Sequence, residues 1–279
     1  MNDDEGFRYT TAPERREQLV QFINEQGYCT ISELSKTFAV SEMTIRRDVM
    51  RLVERDRVRS FRGGVGTLSR QDLLGSDYRK REVAMLEAKR AIAARAVAMI
   101  EADSVIALDA GTTTSQVALL LPYDRNLRVV THSLPVVSGL VGNAGVEVLC
   151  LGGTLHPESL SFDGPSTLAT ISNLQVQTLF LATTGMNQRG AFCGNGYDAI
   201  TKRALVEVAE RVVLIADSSK FQNQAMVKVC GWDAIDILIV DDAITAEQVG
   251  WLEQHDVDVV PVAAEVLDDP ATLASGAAS

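Results

Sequence analysis

The chain has 279 residues, 46% of them apolar, and a formal net charge of −11. Its length favours two domains, and its apolar fraction is ample for buried cores. No apolar run approaches the ~20 residues that span a bilayer, and the acidic, polar N-terminus is unlike a secretory signal. We therefore expect a cytoplasmic protein with no membrane partner.

The negative charge is unevenly distributed along the chain. Residues 1–66 hold 11 Lys and Arg against 11 Asp and Glu, whereas residues 67–279 hold 15 against 26. Within residues 41–66, seven basic residues outnumber four acidic ones. An acidic bulk repels DNA, so this pattern favours DNA contact at the basic segment only.

The first predicted element is an amphipathic helix near Pro13–Glu25. Its apolar face is formed by Leu19, Phe22 and Ile23, and Gly27 is a favourable residue just after a helix end. Two more short helices follow, and three helices are the minimum that can share the core of a helix-turn-helix domain.

The second and third helices have clear start signals. Thr30 and Glu33 form a capping box for the second helix, whose buried side is Leu34 and Phe38. Ser41 is a natural N-cap for the third helix. Only two residues separate Phe38 from Ser41, so the turn between the helices is short.

The third helix has one apolar face and one polar face. At about 100° per residue, a narrow arc holds Ile45, Val49 and Leu52. The opposite side and its flank hold Thr44, Arg46, Arg47 and Arg51. Arginines alone more often mark a solvated face, but the capped helix pair and the core opposite favour a recognition helix in a DNA major groove.

A basic segment follows the third helix. Arg57, Arg59 and Arg62 precede Gly63-Gly64, a turn signal, which predicts a β-hairpin wing whose arginines reach phosphate. Double-stranded operator DNA is the expected partner of this domain, assigned to residues 12–66. The residues expected to contact DNA are Thr30, Ser41, Thr44, Arg46, Arg47, Arg51, Arg59 and Arg62.

The rest of the chain predicts a linker and one α/β domain. Residues 67–78 lack a clear period and are assigned to the linker; a long Ala-rich helix is expected from about Arg79 to Ile100. The expected strands are Val105–Asp109, Leu127–Thr131, Val146–Leu151, Thr178–Ala182, Val212–Asp217, Ile237–Asp241 and Val257–Val262. The expected helices lie near 114–121, 134–141, 165–171, 198–210 and 246–255. This alternation predicts a mostly parallel sheet covered on both faces over residues 79–263, with a disordered tail at 264–279.

The end of the first of these strands is a candidate anion site. Asp109-Ala110-Gly111 leads into a helix that begins with three threonines, Thr112 to Thr114. Free N–H groups at a helix start, close approach at Gly111 and three hydroxyls suit a phosphate. Threonines that only cap the helix are an equally good interpretation. There is no G-K-[ST], so a nucleotide P-loop is excluded.

Other candidates are less specific. Gly152-Gly153 follows another strand and suits a ligand or only a tight turn. Asp217 and Lys220 follow a third strand and suit a sugar phosphate or a surface ion pair. Lys202 is early in a helix, where a cation opposes the helix dipole, and this weakly favours an anionic partner.

Several motifs together resemble the DeoR family of bacterial transcriptional regulators. They are S-x-x-T-I-R-R-D-x-x-x-L, then R-x-x-R-G-G, D-A-G-T-T, L-G-G and D-S-S-K, in this order over about residues 13–262. The resemblance implies a winged helix-turn-helix joined to a sugar-phosphate-sensing domain. It also implies that this sensor is related in fold to ribose-5-phosphate isomerase and the coenzyme A transferases.

The resemblance also implies site residues. In the family, the D-x-G-[ST]-T loop holds the phosphate of the effector. The effector-binding residues implied here are Asp109, Gly111, Thr112, Thr113, Thr114, Gly152, Gly153, Lys202, Asp217 and Lys220. This chain departs from the family at His132, where Asn is common, in Ala182–Met186, and at Asp198, where Glu is usual. These departures concern the identity of the effector.

The favoured function is a transcriptional repressor that a phosphorylated sugar or related metabolite releases from DNA. A dimer or tetramer is expected, since repeated half-sites suit symmetric readers. One alternative is a sugar-phosphate isomerase-like enzyme with an appended DNA-binding domain, but no carboxylate pair stands out as acid and base. A DNA-tethered scaffold is another. The scattered Cys29, Cys150, Cys193 and Cys230 indicate neither a metal nor a disulfide framework, and no cofactor is expected.

Overall fold

A computed structural model describes residues 11–26, 28–55, 57–61, 64–66 and 76–263, which divide into two units between Ser76 and Asp77. The first unit consists of helices packed beside a small sheet. Its elements are α1 (Ala12–Gln26), β1 (Tyr28–Thr30), α2 (Ile31–Thr37), α3 (Glu42–Val53), β2 (Arg59–Phe61) and β3 (Gly64–Gly66). The predicted helix-ending Gly27 and the wing residues Arg62 and Gly63 lie outside the described residues.

The core of the first unit confirms the predicted helix faces. Its buried side chains include Leu19, Ile23, Leu34, Phe38, Ile45, Val49 and Leu52. Phe22 is half-buried and meets Phe38 edge-on, with ring centroids 5.9 Å apart. The predicted capping box is present, with the Thr30 and Glu33 side chains each bonded to the backbone N–H of the other. Ser41 caps α3 as predicted, accepting from the N–H of Thr44 at 3.2 Å.

One charged residue of α3 lies inside this unit. Asp48 is only 2% exposed. Its carboxylate accepts hydrogen bonds from Arg15 at 2.7 Å and from Arg16 at 3.3 Å, so it ties α3 to α1. Sequence analysis did not identify this pair, because Asp48 stands in a run of charged residues that resembles a solvated face.

The small sheet contains the predicted hairpin and one strand that was not predicted. Its strand order is β1-β3-β2, with antiparallel pairing throughout. Gly64 pairs with Thr30, and a Cβ at Gly64 would collide with the backbone oxygen of Cys29. Arg57, predicted to begin the basic segment, instead donates two hydrogen bonds to Glu17 of α1.

The second unit is built on a seven-stranded parallel sheet, as predicted. Its strands, in the order in which they lie in the sheet, are β15 (Asp258–Val262), β14 (Ile237–Asp241), β12 (Ala209–Ile215), β9 (Val176–Leu181), β4 (Val105–Leu108), β5 (Leu127–Thr131) and β6 (Val146–Cys150). Every adjacent pair is parallel. Apolar cores cover both faces, which explains the continuous Val, Ile and Leu runs in the strands.

The helices of this unit match the prediction except at the start. They are α4 (Ser76–Val83), α5 (Leu86–Ala98), α6 (Thr112–Leu120), α7 (Leu134–Leu140), α8 (Pro165–Ile171), α9 (Gly196–Glu207) and α10 (Ala246–Glu253). The single long helix predicted from Arg79 to Ile100 is wrong: Met85 adopts a left-handed conformation (φ +52°) and separates α4 from α5. Lys89 of α5 donates to the carbonyls of Arg81 and Ala84 at this break.

The second unit also contains short antiparallel strands outside the seven-stranded sheet, which were not predicted. β7 (Thr154–His156) pairs with β8 (Ser161–Asp163), and β10 (Gly185–Asn187), β11 (Gly190–Cys193) and β13 (Val227–Cys230) form a second small sheet. Within the described residues, no helix combines the length and the apolarity needed to cross a membrane.

The strand order creates one distinctive position in the large sheet. From β4 the chain proceeds outward through β5 to β6, then returns to β9 on the other side of β4 and proceeds through β12 to β15. β4 and β9 therefore flank a topological switch point, the place where ligands gather outside the carboxyl ends of parallel strands. The segment from Asp109 to Thr113 follows β4, and Ala182 to Thr184 follow β9.

The buried ion pair of Asp48 can be tested against an exposed one. Asp48→Ala should destabilise the first unit, since losing one partner of a buried pair costs ~3–5 kcal/mol. Glu42→Ala is the matched control: Glu42 pairs with Arg46 at 3.7 Å on the surface, and its loss should cost under about 1 kcal/mol.

Thermal unfolding can be followed separately in the two units. Both tryptophans, Trp232 and Trp251, lie in the second unit, whereas circular dichroism reports helices in both. We expect Asp48→Ala to shift part of the circular dichroism transition and to leave tryptophan fluorescence unchanged. Equal shifts of the circular dichroism transition in the Asp48 and Glu42 variants would show that the buried ion pair stabilises the first unit no more than the exposed one does.

Candidate functional site

The helix α3 presents its predicted DNA-binding face to solvent. Arg46, Arg47 and Arg51 are exposed, and Thr44 is half-buried. The Thr44 hydroxyl lies 3.0 Å from the Ser41 hydroxyl, so these two predicted DNA contacts also bond to each other at the helix start. In the wing, Arg59 is exposed, and Arg62 lies outside the described residues.

The same face carries features that sequence analysis missed. A shallow cavity of about 230 Å³ is lined by Ala12, Arg15, Met43, Thr44, Arg47, Asp48 and Arg51. Met43 is 70% exposed at the second position of α3. An exposed apolar residue at the start of a recognition helix was a usable signal in the sequence, because such residues can contact thymine methyl groups. The hydrogen bond between Arg15 and Asp48 left no such signal in the sequence, because it joins residues that are 33 positions apart.

In the second unit, Asp109 holds together the elements that meet at the switch point. It is fully buried, and one carboxylate oxygen accepts from the backbone N–H of Ala182 at 2.9 Å. The same oxygen accepts from the ammonium of Lys202, which also donates to the carbonyl of Ala182 at 3.2 Å. These bonds join the ends of β4 and β9 to α9, so Asp109 fixes the site without lining its cavity.

The loop after β4 is shaped by packing and by its own hydrogen bonds. A Cβ at Gly111 would lie 2.5 Å from the Cβ of Ala182, so glycine is required here whether or not a ligand binds. Thr114 donates to the carbonyls of Asp109 and Gly111, and Ser115 donates to that of Gly111. Thr114 thus bonds to the carbonyls of its own loop and does not cap the N–H groups of α6, whereas Thr112 and Thr113 line a cavity.

That cavity gathers several of the predicted effector residues. It is lined by Arg81, Ala110, Gly111, Thr112, Thr113, Ala182, Thr183, Thr184, Asp198, Lys202 and Lys220. Its volume is about 20 Å³, enough for roughly one water molecule. Three cations and the start of α6 therefore converge on a space that must enlarge before it can hold a sugar phosphate.

Lys202 carries its positive charge in the buried wall of this cavity. Burial alone would lower the pKa of Lys202, but the carboxylates of Asp109 and Asp198 outweigh it and raise that pKa. Burial raises the pKa of Asp198, although Lys202, 3.6 Å away, opposes the rise. Burial, reinforced by Lys202, lowers the pKa of His132 to about 4, so its imidazole is neutral.

The ligand atoms of Asp109, His132 and Asp198 lie within 4.8 Å of one another, close enough for a metal ion. The ammonium of Lys202 already pairs with both carboxylates. It supplies the positive charge that a metal would supply, so we assign no metal here.

The second group of cations lies around Asp217. This buried carboxylate pairs with Lys220 at 3.3 Å and accepts a hydrogen bond from Ser219. Lys220 lines the cavity, whereas Asp217 holds Lys220 in place. Burial lowers the pKa of the neighbouring Lys89 to about 8, and Lys220 contributes to that decrease while Asp217 opposes it.

Gly152 and Gly153 do not line the cavity. Both adopt positive φ (+62° and +114°), and a Cβ at Gly153 would collide with Thr167 of α8. The Thr167 hydroxyl donates to the carbonyl of Gly152 at 2.8 Å. These contacts explain the glycine pair by a tight turn against α8.

Family models match both units of this chain. The DeoR-like helix-turn-helix domain matches residues 15–71, and the DeoR C-terminal sensor domain matches residues 84–242. The chain therefore belongs to the DeoR family of transcriptional regulators.

Similar proteins carry regulatory names. A putative aga operon transcriptional repressor from Escherichia coli O157:H7 is 32% identical over 91% of this chain and 96% of its own length. The glycerol-3-phosphate regulon repressor of Escherichia coli K12 is 30% identical over 82% of this chain and 90% of its own. Among solved structures, ribose 5-phosphate isomerase A from Neisseria gonorrhoeae aligns at 18% identity and a TM-score of 0.36, covering 47% of this chain and 52% of that one.

The contact between Gly111 and Ala182 predicts a paired rescue. Gly111→Ala should destabilise the second unit by ~1–3 kcal/mol through overpacking. Adding Ala182→Gly removes the atom that the new Cβ would meet, and it should restore much of the lost stability. Tryptophan fluorescence during thermal unfolding measures both effects; a double variant no more stable than Gly111→Ala would contradict this role for Gly111.

Proposed function

We propose that this DeoR-family regulator represses carbohydrate-metabolism genes and that a phosphorylated sugar or related metabolite changes its affinity for operator DNA. The observation that carries the proposal is the cavity at the switch point. There Lys202, Lys220 and Arg81 converge on the first turn of α6 and on the hydroxyl-bearing residues Thr112 and Thr113. Free N–H groups, hydroxyls and three cations form a site for a polyanion.

The wall opposite α6 suits the sugar part of the effector. Thr183 and Thr184 supply polar groups, and Asp198 supplies a carboxylate that can accept hydrogen bonds from sugar hydroxyls. The names of the two relatives above support repression, and one of them names glycerol 3-phosphate. The polar lining of the cavity and the names of these relatives both favour a phosphorylated sugar or a related metabolite as the effector.

Regulation follows from linkage between the two sites. An effector that binds one conformation or assembly better than another shifts the population and so changes DNA affinity. We infer a symmetric homo-oligomer, because repeated operator half-sites suit a symmetric reader. Proton transfer by an isomerase would use an acid and a base, and Asp198 is the single carboxylate among the described residues that line the cavity, so the lining offers no carboxylate pair for these roles.

The recognition helix can be tested through one arginine. Arg47→Ala should lose a base contact worth ~1–3 kcal/mol and relax sequence preference. An operator is first selected from random duplexes with the wild-type protein, and binding is then measured by anisotropy on that operator and on unrelated DNA. We expect a larger loss on the operator.

Arg59→Ala is the comparison variant for that experiment. As a phosphate contact, Arg59 should weaken binding to both DNAs about equally and reduce the slope of log K against log salt by roughly one. If Arg47→Ala behaves in this same way, Arg47 contacts phosphate only.

The effector site can be tested through Lys220. Lys220→Gln removes the charge and keeps a polar side chain beside the buried Asp217, and circular dichroism with tryptophan fluorescence checks that the fold is preserved. Losing a charge-assisted contact of ~1.5–3 kcal/mol should abolish or greatly weaken the response of operator binding to sugar phosphates. The measurement is a thermal-shift screen of a sugar-phosphate panel, followed by anisotropy with each stabilising compound.

Lys228→Gln is the matched control, since Lys228 is exposed on β13 and does not line the cavity. It should respond as the wild type does. A wild type that responds to no compound would end the sensing proposal, and consumption of a compound would favour the isomerase alternative.

A further inference from the structure

We propose that Arg81 binds the phosphate of the effector, so that the effector holds α4, the helix through which the chain passes from the DNA-binding unit into the sensor. This inference rests on the proposed function and adds to it one ligand-binding residue and the element that responds. Its starting observation is that Arg81 lines the cavity although every other lining residue comes from residue 110 or later.

Tyr78 attaches α4 to the elements that build the cavity. It is buried, and its backbone N–H donates to the carbonyl of Glu158 at 3.2 Å. Burial raises the pKa of its phenol, and Ser115 in the first turn of α6 acts against that rise. Ser115 in turn donates to the carbonyl of Gly111 in the candidate phosphate loop. The start of α4 is therefore one side chain away from that loop.

Lys89 attaches the other end of α4. Its buried ammonium donates to the carbonyls of Arg81 and Ala84. Lys89 also lies in the electrostatic field of Asp217 and Lys220, whose charges act on it in opposite directions.

The cavity must enlarge to admit a sugar phosphate, and its walls differ in how firmly they are held. Ala182 and Lys202 are bonded to the buried Asp109, and the Thr183 hydroxyl bonds to the backbone of Gly185 and Phe192. Among the described residues, neither apolar core of the sensor takes a side chain from α4. Arg81 is a long, half-buried side chain on this helix, and we assign the enlarging movement to it.

After this movement, the guanidinium group of Arg81 can bind the phosphate of the effector. An arginine binds phosphate through two parallel N–H bonds, with a geometry that Lys202 and Lys220 cannot provide. Once Arg81 has moved to admit the ligand, it can pair with the phosphate and secure α4 over the loop. In the chain, residues 67–75 alone separate α4 from the strand β3 of the DNA-binding unit. An effector that orders α4 therefore orders the first element of the sensor in the chain.

The test uses full-length protein and inorganic phosphate at constant ionic strength. Affinity is measured by calorimetry, and hydrogen–deuterium exchange is followed in peptides covering 76–85 and 110–116. Arg81→Gln should weaken phosphate binding roughly ten- to hundred-fold, the range expected for one charge-assisted contact. In the wild type, phosphate should slow exchange in both peptides; in Arg81→Gln, a saturating concentration should slow exchange only at 110–116.

Arg79→Gln is the matched control, because Arg79 is an exposed arginine of the same helix and does not line the cavity. It should behave as the wild type does. Arg81→Lys keeps the charge but lacks the two parallel N–H donors of the guanidinium group, so it should give an intermediate affinity. This variant still tests the proposal if Arg81→Gln unfolds α4.

The remaining outcomes separate this inference from the proposed function. Protection at 110–116 without protection of α4 in the wild type would overturn the role of Arg81 and leave the phosphate site standing. Tighter or unchanged phosphate binding by Arg81→Gln would do the same. If the wild type shows no protection of either peptide with phosphate or with any sugar phosphate of the panel, both proposals are overturned.

Discussion

The buried pair of Asp109 and Lys202 is the interaction on which the sensor site depends. The two residues are 93 positions apart and meet behind the switch point. A charge buried without a partner is costly, so each side chain is tolerable only because the other is present. Through Ala182 and Lys202, the carboxylate of Asp109 aligns the ends of β4 and β9 and the early turns of α9. The cavity is the space that this alignment leaves in front of α6.

The fold could be predicted from sequence where one local pattern determines structure. Each long strand is rich in Val, Ile and Leu, because both faces of the sheet are covered, and each approximate position was right. The break at Met85 could not be predicted, since residues 79–98 are nearly all good helix formers. At this break the Lys89 side chain donates to the carbonyls of Arg81 and Ala84, a side-chain contact that helix propensities do not include. Three-residue strands such as β1 and β7 are too short to show a period.

The site was predictable to a similar degree and for related reasons. Residues at the ends of parallel strands meet, so placing Thr112, Thr113 and Lys220 together required only the strand assignments. The sequence does not distinguish a residue that lines a cavity from one that holds the lining, and for this reason Asp109 was predicted to be a ligand contact. Arg81 was missed because it precedes the first strand, and no local pattern connects it with a loop that begins at residue 110.

The size of the cavity bears on how strongly an effector can act. A space of about 20 Å³ admits roughly one water molecule, so the proposed sugar phosphate would bind only after the described conformation opens. When the competent conformation is a minor fraction of the population, the apparent affinity falls by that fraction. The same free-energy gap lets an effector shift the population, since a ligand with equal affinity for both conformations shifts nothing. Under the proposed function, a nearly closed cavity would therefore weaken effector binding and at the same time make regulation possible.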